Sequence, residues 1–189
     1  LVQIMFNQFG FDRDGFRVFV LCSASRRDIL LGKNLAFAPI AFVMLSALLI
    51  AFLIAYPLRW DHFLSLIPQA VSMYLLFCLL ATQQSIYAPA FLAAGLLLVS
   101  PPTLSPALLQ LLLMMVVLPL SQIPLLLPVA IEATLVWLGW DARLPICLLL
   151  SLIECAGIVT LYRAGLRWQG GQLQSHEHSI LESVTNRSV

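Results

Sequence analysis

The sequence carries little charge for its length. Only 10% of its 189 residues are charged, whereas 61% are hydrophobic. A typical soluble domain is about 25% charged and about 45–50% apolar, and a folded chain of this size leaves much of its surface exposed. The composition therefore excludes an ordinary soluble domain and indicates that lipid covers most of the apolar surface.

Several motifs that carry well-understood chemistry are also missing. The sequence contains no GxxxxGK[ST] phosphate-binding loop, no GxSxG nucleophile motif and no HExxH zinc motif. A net charge of +1 provides no basic field for a nucleic acid. The four cysteines show no CxxC spacing, so we interpret them as small lipid-facing or core residues. The sequence thus predicts no ATP hydrolysis by this chain itself, no nucleic-acid partner and no cofactor.

Long uncharged runs make up most of the chain. A helix rises about 1.5 Å per residue, so some 20 apolar residues cross the hydrocarbon core of a bilayer. We predict an all-α fold, a polytopic membrane helix bundle with about four transmembrane helices, at residues 35–56, 63–82, 107–124 and 145–162. Residues 1–34 then form a cytosolic segment and residues 163–189 a cytosolic tail. Because the sequence starts at Leu1, we expect a truncated upstream helix before it.

Two further apolar segments are irregular. Residues 86–99 form a segment too short to cross the hydrocarbon core of a bilayer, so we predict an interfacial or re-entrant segment there. Pro119, Pro124 and Pro128 interrupt the last long apolar stretch, since each removes a backbone donor. We predict a second re-entrant segment at residues 124–138. Pro39 and Pro68 are expected near the starts of their spans, where a helix tolerates proline best.

The basic residues predict the orientation. Five lie between residues 11 and 34, three lie between residues 163 and 189, and the turns around Arg59 and Arg143 hold one each. Because lysine and arginine favour the cytoplasmic side, both ends of the chain are expected in the cytoplasm.

Charged residues within apolar runs are candidates for function. A carboxylate inside a membrane is costly, so Glu132 and Glu154 form a possible intramembrane polar site. The alternative is structural: Glu132 sits near an interface beside Trp137, and Glu154 is neutral or bonded to a neighbouring helix. His176, Glu177 and His178 resemble a metal site, but adjacent histidines on a tail give poor ligand geometry, so no metal is predicted there. The apolar spacing around them indicates a short amphipathic helix that lies on the membrane or on a partner.

A helix start lies just ahead of the first predicted span. Ser25 and Asp28 form a capping box, in which both side chains can satisfy backbone N–H groups of a new helix. Arg26 and Arg27 then stand in a first turn, where the helix dipole disfavours cations. Either anionic lipid headgroups or an acidic groove on a cytosolic partner would favour them.

The surrounding sequence, FRVFVLCSASRRDILLGKNL at residues 16–35, resembles the permease subunits of ABC-2-type ABC transporters. In that family a cytosolic segment passes through a turn of small residues into Ser-Arg-(Arg)-(Asp/Glu)-Ile-Leu-Leu-Gly-Lys and then into a membrane span, and residues 25–33 match position by position. The order of segments is similar to the C-terminal two-thirds of such a permease. The lead-in FDRDGFR at residues 11–17 departs from the usual Glu-Arg-Glu-x-Gly-Thr of the family.

The resemblance implies a permease subunit of an ATP-driven exporter in a bacterial-type inner or plasma membrane. Its partners would be an ABC ATPase subunit, a second permease that is either identical or different, and membrane lipids. The residues expected to couple to the ATPase are Arg13, Asp14, Arg17, Ser25, Arg26, Arg27, Asp28 and Lys33. The alternatives are a membrane-embedded lipid-modifying enzyme and a non-transporting membrane assembly protein.

Overall fold

The computed structural model describes residues 2–12, 15–55, 59–87, 104–140 and 145–185. Every regular element in these ranges is helical, which confirms the all-α prediction for the described residues. The helices are α1 (Val2–Phe6), α2 (Gln8–Asp12), α3 (Phe16–Leu21), α4 (Arg26–Ala55), α5 (Trp60–Tyr87), α6 (Leu104–Ser121), α7 (Ile123–Trp137) and α8 (Ile146–Thr185).

Three helices, α4, α5 and α8, are long and apolar enough to cross a membrane. A fourth crossing is available if α6 and α7 count as one bent span, because the segments Met115–Ser121 and Ile123–Trp137 meet at 49°. Pro119 lies in α6 and Pro124 in the first turn of α7, on either side of this bend. The predicted interfacial piece at residues 86–99 lies outside the described residues, except that Ile86 and Tyr87 end α5.

The first and the last of the long helices, α4 and α8, are longer than the spans predicted for them. Helix α4 begins at Arg26, so Pro39 lies in its interior and the expectation of a position near the helix start is wrong. Helix α8 runs unbroken for 40 residues, or about 60 Å, roughly twice the thickness of a bilayer core. The separate tail helix predicted beyond Tyr162 is instead the second half of α8. No proline occurs within it to end the helix.

Local capping explains two of the helix ends. The backbone N–H of Asp28 donates to the Ser25 hydroxyl at 3.2 Å, and that hydroxyl donates to the Asp28 carboxylate at 2.6 Å. The predicted hydrogen bond between the Ser25 side chain and a backbone N–H is therefore present. The Asp28 carboxylate accepts a hydrogen bond from the Ser25 hydroxyl. Helix α7 ends in a Schellman motif, in which Gly139, at φ 89°, donates to Val136 and Trp140 donates to Leu135.

Helices α5 and α8 run parallel. Near their starts the Ser65 and Cys147 side chains are 3.5 Å apart, and further along Gln69 donates to Ser151 at 2.9 Å.

The chain divides into two compact units. The first comprises Leu1–Phe37, Cys78–Val117 and Ala164–Val189; the second comprises Ala38–Phe77 and Leu118–Arg163. The core of the first unit is aromatic and aliphatic, and Phe9 packs edge-on against Phe16 with ring centroids 5.4 Å apart. Its largest buried side chains include Phe6, Leu30, Leu166, Leu173 and Ile180. Leu173 and Ile180, which belong to the apolar stripe predicted for the tail, are therefore buried within this chain.

Candidate functional site

The second unit contains a buried polar cluster centred on Glu132. The Glu132 side chain lies in α7 and is almost fully buried. Its Oε1 atom is 3.2 Å from Nε2 of His62, in the first turn of α5, and its Oε2 atom accepts the backbone N–H of Cys147 at 3.1 Å, in the first turn of α8. Three helices thus contribute to one site.

The position of Cys147 follows from how α8 begins. Pro145 has no backbone N–H and precedes the first helical residue, Ile146. The first N–H groups of any helix have no partner inside the helix, and the helix dipole favours an anion beside them. The Glu132 carboxylate supplies both the acceptor and the negative charge, which makes its burial tolerable.

Arg59 adds a positive charge at the edge of the cluster. One of its guanidinium nitrogens, Nη1, lies 3.8 Å from Oε1 of Glu132. The same guanidinium donates to both carboxylate oxygens of Asp61, at 3.2 and 2.7 Å. Because Arg59 is about half exposed and already paired with Asp61, its attraction to Glu132 is weak.

The polar cluster continues along α5 and α8 as a stripe that we call the polar seam. On α5 it comprises His62, Ser65, Gln69 and Ser72, whose spacing of three, four and three residues places them on one helix face. On α8 it comprises Cys147 and Ser151. Gln69 donates to the Cys147 sulfur at 3.6 Å as well as to the Ser151 hydroxyl, which in turn donates to the Cys147 carbonyl at 2.7 Å.

The far end of the polar seam is incompletely bonded. Within the described residues, neither the Ser72 hydroxyl nor the Oε2 atom of Glu154 has a hydrogen-bond partner, and both atoms are buried. Ser72 follows Gln69 by three residues and Glu154 follows Ser151 by three, so on parallel helices they stand at similar levels. Glu154 is thus separate from the Glu132 cluster, and the two predicted carboxylates do not meet in one bonded group.

Arg26, a predicted partner-contact residue, is bonded within the first unit. Its guanidinium donates to the backbone carbonyls of Phe19 at 2.7 Å, Val20 at 3.1 Å and Cys22 at 3.4 Å, and it pairs with Glu177 of α8. These carbonyls are the acceptors that the C-terminal end of α3 leaves unpaired. The planar guanidinium has enough donors for all of them, which explains a cation in the first turn of α4.

Lys33 is likewise used internally. Its ammonium group pairs with Asp12, donates to the Gln8 carbonyl at 3.3 Å, and lies 5.0 and 5.1 Å from the ring centroids of Phe9 and Phe19. Burial raises the pKa of the Asp12 carboxyl above its ordinary value, and the Lys33 charge only partly offsets this. Arg26 and Lys33 together attach α2 and α3 to the start of α4.

The remaining predicted coupling residues differ in exposure. Arg17 and Asp28 are exposed, whereas Arg27 is half-buried with its backbone close against Gly170 of α8. Arg13 and Asp14 lie outside the described residues. The exposed face of α3 therefore consists of Arg17, Val18 and Leu21.

The histidine pair in the tail makes local contacts. His176 packs edge-on against Tyr87 and its Nδ1 atom is 2.9 Å from the Gln172 carbonyl, while Glu177 pairs with Arg26. Among the described residues, the group whose ligand atoms lie close enough for a metal ion is His62, Glu132 and Cys147.

His62, Cys147 and Gln69 belong to the site although the sequence did not predict them as site residues. The sequence interpretation of Cys147, like that of the other cysteines, is a small lipid-facing or core residue. A signal was present in the spacing of His62, Ser65, Gln69 and Ser72, which marks one polar face on an otherwise apolar helix. No local sequence pattern predicts that Cys147 lies close to His62, because 85 residues separate them.

No protein-family model, curated protein or solved structure matches the chain.

Proposed function

We propose that the chain is the permease subunit of an ATP-driven ABC exporter and forms a polytopic membrane helix bundle with both ends in the cytoplasm. The observation that carries the proposal is the attachment of α2 and α3 to α4 and α8 through Arg26 and Lys33. This attachment joins a short non-spanning segment to two helices long enough to cross the membrane.

The bonds of Arg26 give this attachment a mechanical role. An ATPase that moves α3 would move Arg26, since the guanidinium binds the carbonyls at the end of α3. Arg26 belongs to the first turn of α4 and pairs with Glu177 of α8, so the displacement reaches both long helices. The exposed residues Arg17, Val18 and Leu21 supply a cation beside apolar side chains for the ATPase surface.

The polar seam supports a transport role in a second way. Buried polar side chains are expensive in a bilayer and usually mark a pathway or binding site. The polar seam runs from His62 to Ser72, or about 15 Å along α5, which is about half of a bilayer core. We assign it to the part of the permease that receives polar groups of the substrate.

Co-purification tests this proposal. The full-length protein is isolated from its native membrane in a mild detergent and its partners are identified by mass spectrometry. The proposal predicts a stoichiometric P-loop ATPase that is lost in the charge-reversal variant Arg17→Glu and kept in the matched control Arg167→Glu, an exposed cation on α8. Arg26→Glu is unsuitable, because it breaks bonds within the chain. If no ATPase co-purifies, the permease assignment is wrong. If the ATPase still co-purifies with Arg17→Glu, α3 is not part of the docking surface.

The Glu132 cluster also bears on the alternative of a membrane-embedded enzyme, which requires a polar cluster at one end of the helices. In this structure the Cys147 S–H donates to the Ser65 hydroxyl at 3.5 Å. A general base must lie within reach of the proton it takes. Turnover of a lipid substrate by the purified chain, without an ATPase, would favour the enzyme.

A further inference from the structure

The three side chains that meet around Glu132 are of types that bind transition metals. A ring nitrogen of His62, a Glu132 carboxylate oxygen and the Cys147 Sγ atom all lie within 4.8 Å of one another. Imidazole, carboxylate and thiolate are the ligands found in protein zinc sites. Calcium and magnesium require six or more oxygen ligands, many more than this cluster's single carboxylate offers.

The spacing of the ligand atoms suits a tetrahedral ion. Two ligand atoms bound at about 2.0–2.3 Å in tetrahedral geometry are about 3.3–3.7 Å apart. The His62 Nε2 and Glu132 Oε1 atoms are already 3.2 Å apart. The widest pair, at no more than 4.8 Å, needs to approach by at most about 1 Å to reach this geometry.

The neighbours of the three ligands hold them in place. Oε2 of Glu132 is fixed by the Cys147 N–H, which leaves Oε1 directed toward His62. Gln69 donates to the Cys147 sulfur, and such a hydrogen bond stabilises a thiolate. The N-terminal end of α8 also favours negative charge on both Glu132 and Cys147. Supporting hydrogen bonds of this kind orient metal ligands.

The charge of the surroundings permits a cation. The Arg59 guanidinium lies 3.8 Å from Oε1 of Glu132, and Asp61 neutralises much of its charge through two hydrogen bonds. With a thiolate and a carboxylate as ligands, the cluster carries two negative charges against the two positive charges of the ion.

We propose that His62, Glu132 and Cys147 bind one Zn²⁺-like transition-metal ion, with the fourth position open to water or to another ligand. Three protein ligands and one open position distinguish such a site from a closed structural one. The ion would fasten the start of α5, the C-terminal half of α7 and the start of α8 to one another. This inference does not depend on the proposed transport function.

Metal titration of the purified chain tests the site. The protein is freed of its affinity tag and of metal by chelation, and is then titrated with Zn²⁺ by calorimetry and with Co²⁺ by absorption spectroscopy. The expected result is one ion per chain and a thiolate-to-cobalt charge-transfer band in the near ultraviolet. Mg²⁺ and Ca²⁺ are expected to give neither heat nor competition.

Variants separate this site from other cysteines and histidines. Cys147→Ser should abolish the charge-transfer band, and His62→Ala and Glu132→Gln should each weaken Zn²⁺ binding by at least about tenfold. The matched controls Cys155→Ser and His178→Ala should leave both signals unchanged. Cys147→His replaces the thiolate with another ligand, so it should retain Zn²⁺ but lose the band.

Three outcomes overturn the proposal. These are no stoichiometric binding, a band that persists in Cys147→Ser, or binding that disappears in His178→Ala. Circular dichroism of each variant shows whether it remains helical. Because Cys147→His is expected to fold and to bind, a loss of binding in that folded variant also contradicts the proposed ligand set.

Discussion

Arg26, in the first turn of α4, pairs with Glu177 in α8 across a separation of 151 residues. The same guanidinium binds the carbonyls at the end of α3, so one side chain joins three helices. The next turns of α4 bring Lys33 against α2 and α3 in a similar way. Two cations that resemble a partner-binding motif in sequence are therefore part of the internal structure.

Substitution of Arg26 should destabilise the first unit more than substitution of its acidic partner. Arg26→Ala leaves the α3 carbonyls without a donor and should lower the free energy of unfolding by about 1–3 kcal/mol. Glu177→Gln removes only one of several partners and should cost below about 1 kcal/mol. Thermal unfolding in detergent, followed by circular dichroism, measures both. An equal loss in the exposed control Arg163→Ala would show that the effect is not specific.

The adjacent glycines of α8 should respond in opposite directions to alanine. A Cβ at Gly170 would lie 3.1 Å from the backbone nitrogen of Arg27, whereas at Gly171 it meets nothing within 4 Å. Gly170→Ala must push α8 from α4, with an expected cost of about 1–3 kcal/mol. Gly171→Ala should stabilise the helix by up to about 1 kcal/mol. Chemical unfolding of both variants under one condition provides the comparison, and a stabilising Gly170→Ala would contradict the close packing.

Asp12 should make stability decrease with rising pH over a limited range. Burial raises the pKa of its carboxyl in the folded chain above the ordinary value of 3.8. The folded state therefore binds the proton more tightly than the unfolded state does, so this contribution is fully present below pH 3.8 and is lost as the pH rises through the folded pKa. The Asp12→Asn variant lacks this titration.

The measurement is the difference in unfolding free energy between the native chain and Asp12→Asn, taken from about pH 4 to pH 6. As the pH increases, the free energy of unfolding of the native chain should decrease relative to that of Asp12→Asn. If the free energy of unfolding of the native chain instead increased relative to that of Asp12→Asn, pairing with Lys33 would outweigh the burial of the Asp12 charge.

The turn after α7 should require a residue that tolerates a left-handed backbone. Gly139 has φ 89° and completes the Schellman motif through its N–H bond to Val136. Gly139→Ala should cost about 1–2 kcal/mol, because a Cβ disfavours this conformation. Gly139→Asn should cost less, since asparagine adopts positive φ more readily. Thermal unfolding of the two variants tests the order, and the reverse order would show that side-chain contacts, not backbone strain, control this turn.

Some features of the protein follow from the sequence alone. Long uncharged runs predict helices that are long and apolar enough to cross a membrane, and a helix satisfies its backbone N–H and C=O groups within its own segment. The Ser25 cap, the bend among Pro119, Pro124 and Pro128, and the helical tail are also local consequences of residue type. Helix ends were predicted less well, since α4 and α8 continue past the apolar runs into polar residues that pack within the first unit.

Only the tertiary structure decided which side chains meet. Local pattern cannot show that α5 and α8 run parallel in the register that pairs Gln69 with Ser151, because that register depends on side-chain packing between helices distant in sequence. The same register brings His62, Glu132 and Cys147 together from three helices. The partners of Arg26 also could not be predicted from the sequence. Its residue type and position indicate a strong hydrogen-bond donor at the start of α4, but the acceptors that it binds depend on where α3 and α8 lie.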